Sequence, residues 1–442
     1  MTKKKNIKRT VVVATGALLL CITAVITVFT PKSYENVKIY DKDGVLFCTL
    51  NKNENEVNIT GRRVLEQAKQ DLKENKIYRS EINIYSTVSS EVQKSLDEVI
   101  VNSEVPDFFQ IAMQVTDYEG RVLGVAGGIG KDNTLNRATE YHSVGSSIKP
   151  VATYLPAIES NLITFSSVNE DKPLYFDSDG AGWPANADKI YAGQILTAAA
   201  LRQSKNTIAV ALADKQGTGF LLDRLINKFR FTGLTPMDNT TLGVGLGYLK
   251  TGVTLEELAA AYQVFGNGGT LYEPVYYTKI TDKNGTVVFE KEAVSEIVSD
   301  PESTGIINRI LIGSVTEPDG LAHGAKLPGT EVFGKTGTTD NLDGIINNTV
   351  FAGGTPDMLG VVWIGNDDKD FGRFKGVMPK TTEVWHAVME SIPQTTAEFC
   401  ISPGLIKKDF CTETGLAATP ACPEKMTGYY KDGTVPPLCD VH

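Results

Sequence analysis

The stretch HSVGSSIKPVATY, His142 to Tyr154, sets three serines beside one lysine. Only Ser146 has a lysine three residues later, and Ser146-x-x-Lys149 is the one match of its kind in the chain. On a helix this spacing puts both side chains on one face, a turn apart. A neutral lysine amine can take the serine proton, so the pair could form an acyl-transfer nucleophile without histidine. If Ser146 caps the helix, Pro150 falls in the first turn, where no N–H partner is lost. The positive end of the helix would then favour an alkoxide and, at the Ser146 N–H, a developing oxyanion.

Two later stretches could complete such a site. Ser204-Lys205-Asn206 follows YAGQILTAAALRQ and offers a hydroxyl for proton relay and an amide to hold a substrate backbone. Lys335-Thr336-Gly337-Thr338 follows the strand-like EVF: the lysine can meet a carboxylate, the hydroxyls can bind it, and glycine admits a substrate backbone. Each has a decoy. Ser167-Val168-Asn169 reads as a loop just past the helix that Ser146 begins, and Lys250-Thr251-Gly252 lies immediately before a helix cap.

Positioning these groups requires a mixed fold. Helical patterns run over roughly 147–160, 190–202, 206–214, 218–229, 254–265 and 302–316. The fifth is bounded by a Thr254/Glu257 capping box and by Gly266-Asn267-Gly268-Gly269. FFQIAMQV and RVLGVAG flank a turn at Asp117–Gly120, and TEVFGKTG, NTVFAGG and MLGVVWIGND supply three later strands. Strands from both ends with helices between them predict an α+β domain whose antiparallel sheet of about five strands is closed by its own termini. Upstream, VKIY and VLFCTL around Asp43-Gly44 read as a hairpin and RRVLEQAKQDLKEN as a helix, a small module rather than an enzyme domain.

The charge is unevenly placed. Five bases and no acid occupy residues 1–9, whereas residues 31–442 carry 38 bases against 53 acids. An acidic body argues against a nucleic-acid partner. The uncharged TVVVATGALLLCITAVITVF is long enough to cross a bilayer. With the basic cluster before it, the expectation is a single-pass membrane anchor, N-terminus cytoplasmic and catalytic domain extracytoplasmic.

GSSIKP, SKN and GKTGTTD, in this order, resemble the three active-site motifs of the penicillin-binding proteins. TLGVGLGYLKTGVTLEELAAAYQVFGNGG, VVWIGND and the cysteine-containing tail are similar to class A members, over about residues 83 to 442. The resemblance implies a serine β-lactamase/D,D-peptidase-like fold and five segments: basic tail 1–9, anchor 10–30, connector 31–83, transpeptidase domain 84–392 and tail 393–442. Class A members usually carry a glycosyltransferase domain after the anchor. The connector is too short for one and no F-x-x-H-x-G-like signature occurs, so a separate glycosyltransferase is the expected partner.

The roles that the resemblance implies follow residue by residue. Ser146 attacks a D-Ala-D-Ala stem peptide and becomes an acyl-enzyme, Lys149 is the general base, and Ser204 relays a proton to the leaving D-Ala. Asn206 positions the peptide, while Lys335, Thr336, Gly337 and Thr338 bind the substrate end and its terminal carboxylate. The N–H groups of Ser146 and Thr338 form the oxyanion hole, and β-lactams mimic the donor. A D,D-carboxypeptidase and a β-lactam-hydrolysing or β-lactam-sensing protein share these motifs, and a non-catalytic cell-wall scaffold is the reading of another class.

No cofactor and no catalytic metal is expected. The histidines lack metal-ligand spacing except in Cys439-x-x-His442, a triad through His142 would leave the motif set unexplained, and Asp177–Gly180 reads as a turn. Among Cys400, Cys411, Cys422 and Cys439, outside the membrane, a disulfide is expected, with zinc through Cys439 and His442 as the alternative.

Overall fold

The computed structural model describes residues 36–50, 58–101, 109–130, 135–340, 346–367 and 380–442. The expected basic tail and membrane anchor lie outside them. Among the described residues no helix is long and apolar enough to cross a membrane.

Strands β1 (Asn36–Tyr40) and β2 (Leu46–Leu50) form the hairpin expected around Asp43-Gly44, with the Asp41 carboxylate accepting the Asp43 and Val45 N–H groups. Asn58 caps helix α1 (Ile59–Glu74), which buries Val64, Leu65, Ala68 and Leu72 at helical spacing. Strand β3 (Glu81–Ser86) then runs parallel to β1, and α2 (Ser90–Leu96) leads to the antiparallel pair β4 (Gln110–Thr116) and β5 (Val122–Ala126).

A helical run from Gly145 to Glu159 follows, ending in α3 (Leu155–Glu159). After strands β6 (Val168–Asp171) and β7 (Gly193–Leu196) come α4 (Thr197–Arg202), α5 (Asn206–Gln216), α6 (Thr218–Asn227), α7 (Thr241–Leu246) and α8 (Leu255–Asn267). The helix expected over 190–202 therefore starts only at Thr197. Residues 193–196 instead pair with 168–171, which also makes Val168 and Asn169 part of a strand rather than a loop.

Strands β8 (Tyr277–Asp282) and β9 (Val287–Glu290) return to the first sheet, whose order is β9-β8-β3-β1-β2. Strands β1, β2 and β3 thus share one sheet with two strands from much later in the chain. An unpaired β3 edge would expose its N–H and C=O groups, and β8 covers it.

Helix α9 (Pro301–Thr316) precedes β10 (Phe333–Asp340), β11 (Ile346–Gly354) and β12 (Leu359–Gly365). These complete the antiparallel five-stranded sheet β10-β11-β12-β4-β5, joined where β12 from late in the chain pairs with β4 from early in it. Val350, Ala352, Val361 and Trp363 enter the core on one face. Phe351, Val362 and Ile364 enter a second core on the other, with Trp385 of α10 (Thr381–Glu390). Burial on both faces explains why these strands read as apolar runs. The tail adds the hairpin β13 (Ile406–Cys411) and β14 (Lys425–Tyr430).

Candidate active site

The helical run that carries Ser146 changes pitch along its length. Gly145–Ile148 is a 3₁₀ turn preceded by Val144, Pro150–Tyr154 is a π turn closed by Leu155 N–H on Pro150 O, and only then does α3 begin. Ser146 is therefore the second residue of the turn rather than its cap. The Lys149 N–H bonds Ser146 O, the i to i+3 link of a 3₁₀ turn, in which these two positions lie on one face. Ser146 is half-buried and lines a cleft of about 490 Å³ with Ser204, Asn206, Tyr248, Thr336 and Thr338.

Lys149 is fully buried. Its Nζ donates to Ser204 O at 2.8 Å and Asn206 Oδ1 at 2.7 Å, with Ser204 Oγ at 3.4 Å. Burial, and then the charge of Lys335, push its pKa well below the usual lysine value. A neutral amine has two N–H groups and one lone pair. Two acceptors satisfy the N–H groups, which leaves the lone pair for a hydroxyl proton.

Ser204 occupies a left-handed conformation, φ 59°. It is the residue after the last turn of α4: its N–H bonds Leu201 O, and the Lys205 N–H bonds Ala200 O, the paired closure of a Schellman motif. That position is usually glycine, because a left-handed side-chain-bearing residue costs about 1–3 kcal/mol. The kink turns the Ser204 carbonyl to Lys149 and its hydroxyl to Lys335, whose Nζ donates to Ser204 Oγ at 2.8 Å and to Thr336 O at 3.0 Å. Lys335 is buried too, and desolvation lowers its pKa to about 7.

Strand β10 is the sheet edge next to Ser146. Alternation along it buries Lys335 and Gly337 and leaves Thr336 and Thr338 open to the cleft. Gly337 is also constrained from behind the strand. A Cβ there would collide with Val144 O, so glycine is required for the strand to lie against the turn carrying Ser146. From the other side, Gly145, φ 53°, leaves room for the Thr338 peptide, whose amide nitrogen stands 3.0 Å from where its Cβ would be. The Thr338 N–H therefore borders the residue before Ser146, the proximity that a two-donor oxyanion site needs.

Sequence reasoning missed the support behind Asn206. Helix α5 has no side-chain cap of its own. Asn186 supplies one from a distant loop, its Oδ1 accepting the Asn206 N–H at 2.8 Å and the Thr207 N–H at 3.3 Å. The Asn186 amide in turn donates to Asp171 Oδ1 at 2.7 Å, and Lys205 Nζ sits 2.7 Å from Asp188 and 3.5 Å from Asp171. Burial opposes ionisation of Asp171, but the Ala192 N–H, Thr207, Asn186 and Lys205 outweigh it and hold the carboxyl below its usual range. At the cleft mouth the Tyr248 hydroxyl donates to Asp340 at 2.8 Å. Asn186 lies in an aperiodic stretch, so no local signal marks it.

The decoys lie elsewhere. Lys250 is exposed, with Nζ 2.9 Å from Met237 Sδ. Asn169 donates to Thr197 Oγ1 at 3.0 Å. His142 packs tilted against Trp363 with ring centroids 4.2 Å apart, its Nε2 lies 2.7 Å from Arg137 O, and burial lowers its pKa to about 4. It does not line the cleft.

Residues 110–366, more than half of the chain, match the penicillin binding protein transpeptidase domain. Penicillin-binding protein 1A of Clostridium tetani is 32% identical over 91% of this chain and 56% of its own length. Its counterpart in Clostridium acetobutylicum is 30% identical over 84% and 47%. The chain thus spans about half the length of the curated relatives it matches. Among solved structures, penicillin-binding protein 1A from Haemophilus influenzae superposes with a TM-score of 0.71 at 19% identity, covering 88% of this chain and 78% of that one. The D,D-transpeptidase domain of a peptidoglycan glycosyltransferase from Eggerthella lenta gives 0.62 at 18%, covering 81% and 98%.

Proposed function

The chain belongs to the penicillin-binding proteins through their transpeptidase domain, and on that premise we propose that it is a serine D,D-transpeptidase that cross-links peptidoglycan stem peptides. The observation that carries this reading is the buried Lys149 amine, depressed in pKa, with both donors taken up by Ser204 O and Asn206 Oδ1.

Neutral Lys149 takes the Ser146 hydroxyl proton as Oγ bonds to the carbonyl carbon of the penultimate D-Ala. The oxyanion is received by the N–H groups of Ser146 and Thr338. Ser204, bridging Lys335 and Lys149, passes the proton to the leaving D-Ala nitrogen, and the C–N bond breaks to leave the acyl-enzyme. Lys335, Thr336 and Thr338 hold the terminal carboxylate, and Asn206 the stem-peptide backbone. An acceptor amine then attacks the ester carbonyl carbon and its proton passes through the again neutral Lys149 to Ser146 Oγ as the C–Oγ bond breaks, which frees Ser146. A β-lactam enters by the same first step and stays attached.

Residues 10–30 anchor the chain in the cell membrane with the catalytic domain outside, near the polymer that supplies the amine. Nascent glycan strands come from a separate glycosyltransferase. The test is to give the full chain uncross-linked polymer made by another glycosyltransferase and to analyse the muropeptides. Cross-linked dimers that vanish in Ser146→Ala are expected. Trimmed stems without dimers would make the protein a carboxypeptidase, and penicillin labelling that survives Ser146→Ala would overturn the nucleophile.

A further inference from the structure

The tail gathers three sulfurs and one imidazole. Cys411 ends β13, Cys422 precedes β14, and Cys439 and His442 follow on the segment after it. Their ligand atoms, three Sγ and one ring nitrogen, all lie within 4.8 Å of one another. The three sulfurs are buried and are free thiols, so the disulfide expected among the tail cysteines is not formed in this structure.

We propose that Cys411, Cys422, Cys439 and His442 form a structural Zn²⁺ site. Zinc takes four sulfur and nitrogen ligands tetrahedrally, at about 2.3 Å to sulfur and about 2.1 Å to nitrogen, which sets a sulfur and a nitrogen roughly 3.6 Å apart. His442 Nδ1 stands 3.5 Å from Cys411 Sγ and 3.6 Å from Cys439 Sγ. The imidazole is also oriented as a ligand. Its far nitrogen, Nε2, is 3.2 Å from the Glu413 carboxylate, which fixes the ring with Nδ1 aimed at the sulfurs. The sulfurs have outer partners as well: Thr414 Oγ1 donates to Cys439 Sγ at 3.4 Å and the Thr419 N–H to Cys422 Sγ at 3.3 Å. Three thiols with one imidazole favour zinc over the hard cations, which take oxygen.

The local core is small: among the described residues only the hydrophobics Leu416 and Ala418 pack against the three cysteines, and an ion would add to it. The ion would hold a turn whose neighbours brace the catalytic domain. Lys431 Nζ donates to Ile158 O at 2.9 Å and Glu159 O at 3.0 Å, the last carbonyls of the run that begins beside Ser146. The Tyr430 hydroxyl donates to Ser166 Oγ, which itself donates to Gly415 O between Cys411 and Cys422. Zinc in the tail would thereby stiffen the far end of the nucleophile's helix.

The full chain, purified in detergent and dialysed against metal-free buffer, should retain about one zinc per chain by elemental analysis. Its intact mass under non-reducing conditions should show all thiols reduced. Replacing zinc with cobalt should give the intense visible bands of tetrahedral thiolate-bound Co²⁺. Cys422→Ser and His442→Ala should lose the metal, Glu413→Gln should bind it roughly 10-fold more weakly, and exposed Cys400→Ser should keep it. A mass lower by two hydrogens, with two thiols missing, would replace the zinc site with a disulfide. Reduced thiols with no retained zinc and no cobalt bands, or zinc that survives both ligand substitutions, would also overturn it. None of these readouts depends on the proposed transpeptidase activity.

Discussion

Lys149 and Lys335 meet at one residue from opposite elements: the first donates to the Ser204 carbonyl and the second to its hydroxyl, both at 2.8 Å. Two buried amines around one hydroxyl cannot both stay protonated cheaply, since each desolvates and repels the other. Burial lowers the pKa of both amines. The proposed mechanism makes Lys149, three residues after Ser146 on the same helical run, the base, and Lys335, on the strand across the cleft, the cation.

Lys149→Arg should therefore abolish base catalysis while keeping a positive charge in the site, because a guanidinium stays protonated. Acylation by a penicillin should slow at least ~100-fold. Thermal unfolding checks that the variant is folded, and near-normal acylation by a folded variant would remove Lys149 from the mechanism.

The pH profile follows from the two amines with opposite signs. Lys149 must be neutral, a condition met increasingly as pH rises; Lys335 must be charged, a condition lost as pH rises through about 7. The second-order acylation rate of the free enzyme should thus decline on the alkaline side from about pH 7 as Lys335 loses its proton, and fall on the acid side as Lys149 gains one. Lys335→Arg should act more slowly but without that alkaline limb. A profile from about pH 5 to about pH 9 whose alkaline limb is identical in both proteins would assign it to another group.

Ser204 separates backbone cost from chemistry. Ser204→Gly relieves the left-handed conformation and should stabilise the fold by about 1 kcal/mol relative to Ser204→Ala. Both variants lack the hydroxyl that bridges the lysines, so both should lose acylation by about the same factor, ~100-fold or more. Denaturant unfolding and penicillin kinetics on the pair are the measurement; a large difference in their acylation rates would show that the hydroxyl is not the shared loss.

Much of this was legible in the residues themselves. Ser146 and Lys149 stand at a spacing that puts two residues on one face in an α-helix and in a 3₁₀ turn alike, so that reading does not depend on which residue caps the helix. The Thr254/Glu257 capping box marks a helix that does run Leu255–Asn267, because both its signals are local. What sequence could not carry was tertiary. Strand β8 reaches β3 from almost two hundred residues away, Gly337 owes its identity to Val144 O, and Asn186 caps a helix twenty residues later in the chain. The four tail ligands were likewise named only in part, since Cys411 and Cys422 join His442 through the fold and not through spacing.

Gly337→Ala tests the close approach of strand and turn. The added methyl meets a backbone carbonyl, which cannot rotate away, so β10 must shift. The expected cost is about 1–3 kcal/mol in stability, together with slower acylation, because Thr338 moves off Gly145. Parental unfolding and acylation rates would show that the strand has slack.

The network behind Asn206 supports the last prediction. Asn186 Oδ1 stands in for the missing cap of α5, and removing such an acceptor typically costs about 1 kcal/mol. It also frees Asn206, whose Oδ1 fixes one of the two Lys149 N–H groups. Asn186→Ala should therefore lose stability and also slow acylation, by less than Lys149→Arg, since the amine is still present but less well aimed. Asp171, held below its usual pKa by donors that include Asn186, contributes stability above the unfolded aspartate value of about 4 and loses it as pH falls through its lower folded value. Deleting Asn186 removes one of those donors, so the difference in stability between parent and variant should shrink as the pH is lowered through that window. Unfolding free energies against pH, with penicillin acylation measured on the same samples, decide it. A variant that melts earlier yet acylates at the parental rate would confine the network to holding the helix and detach it from the aim of Lys149.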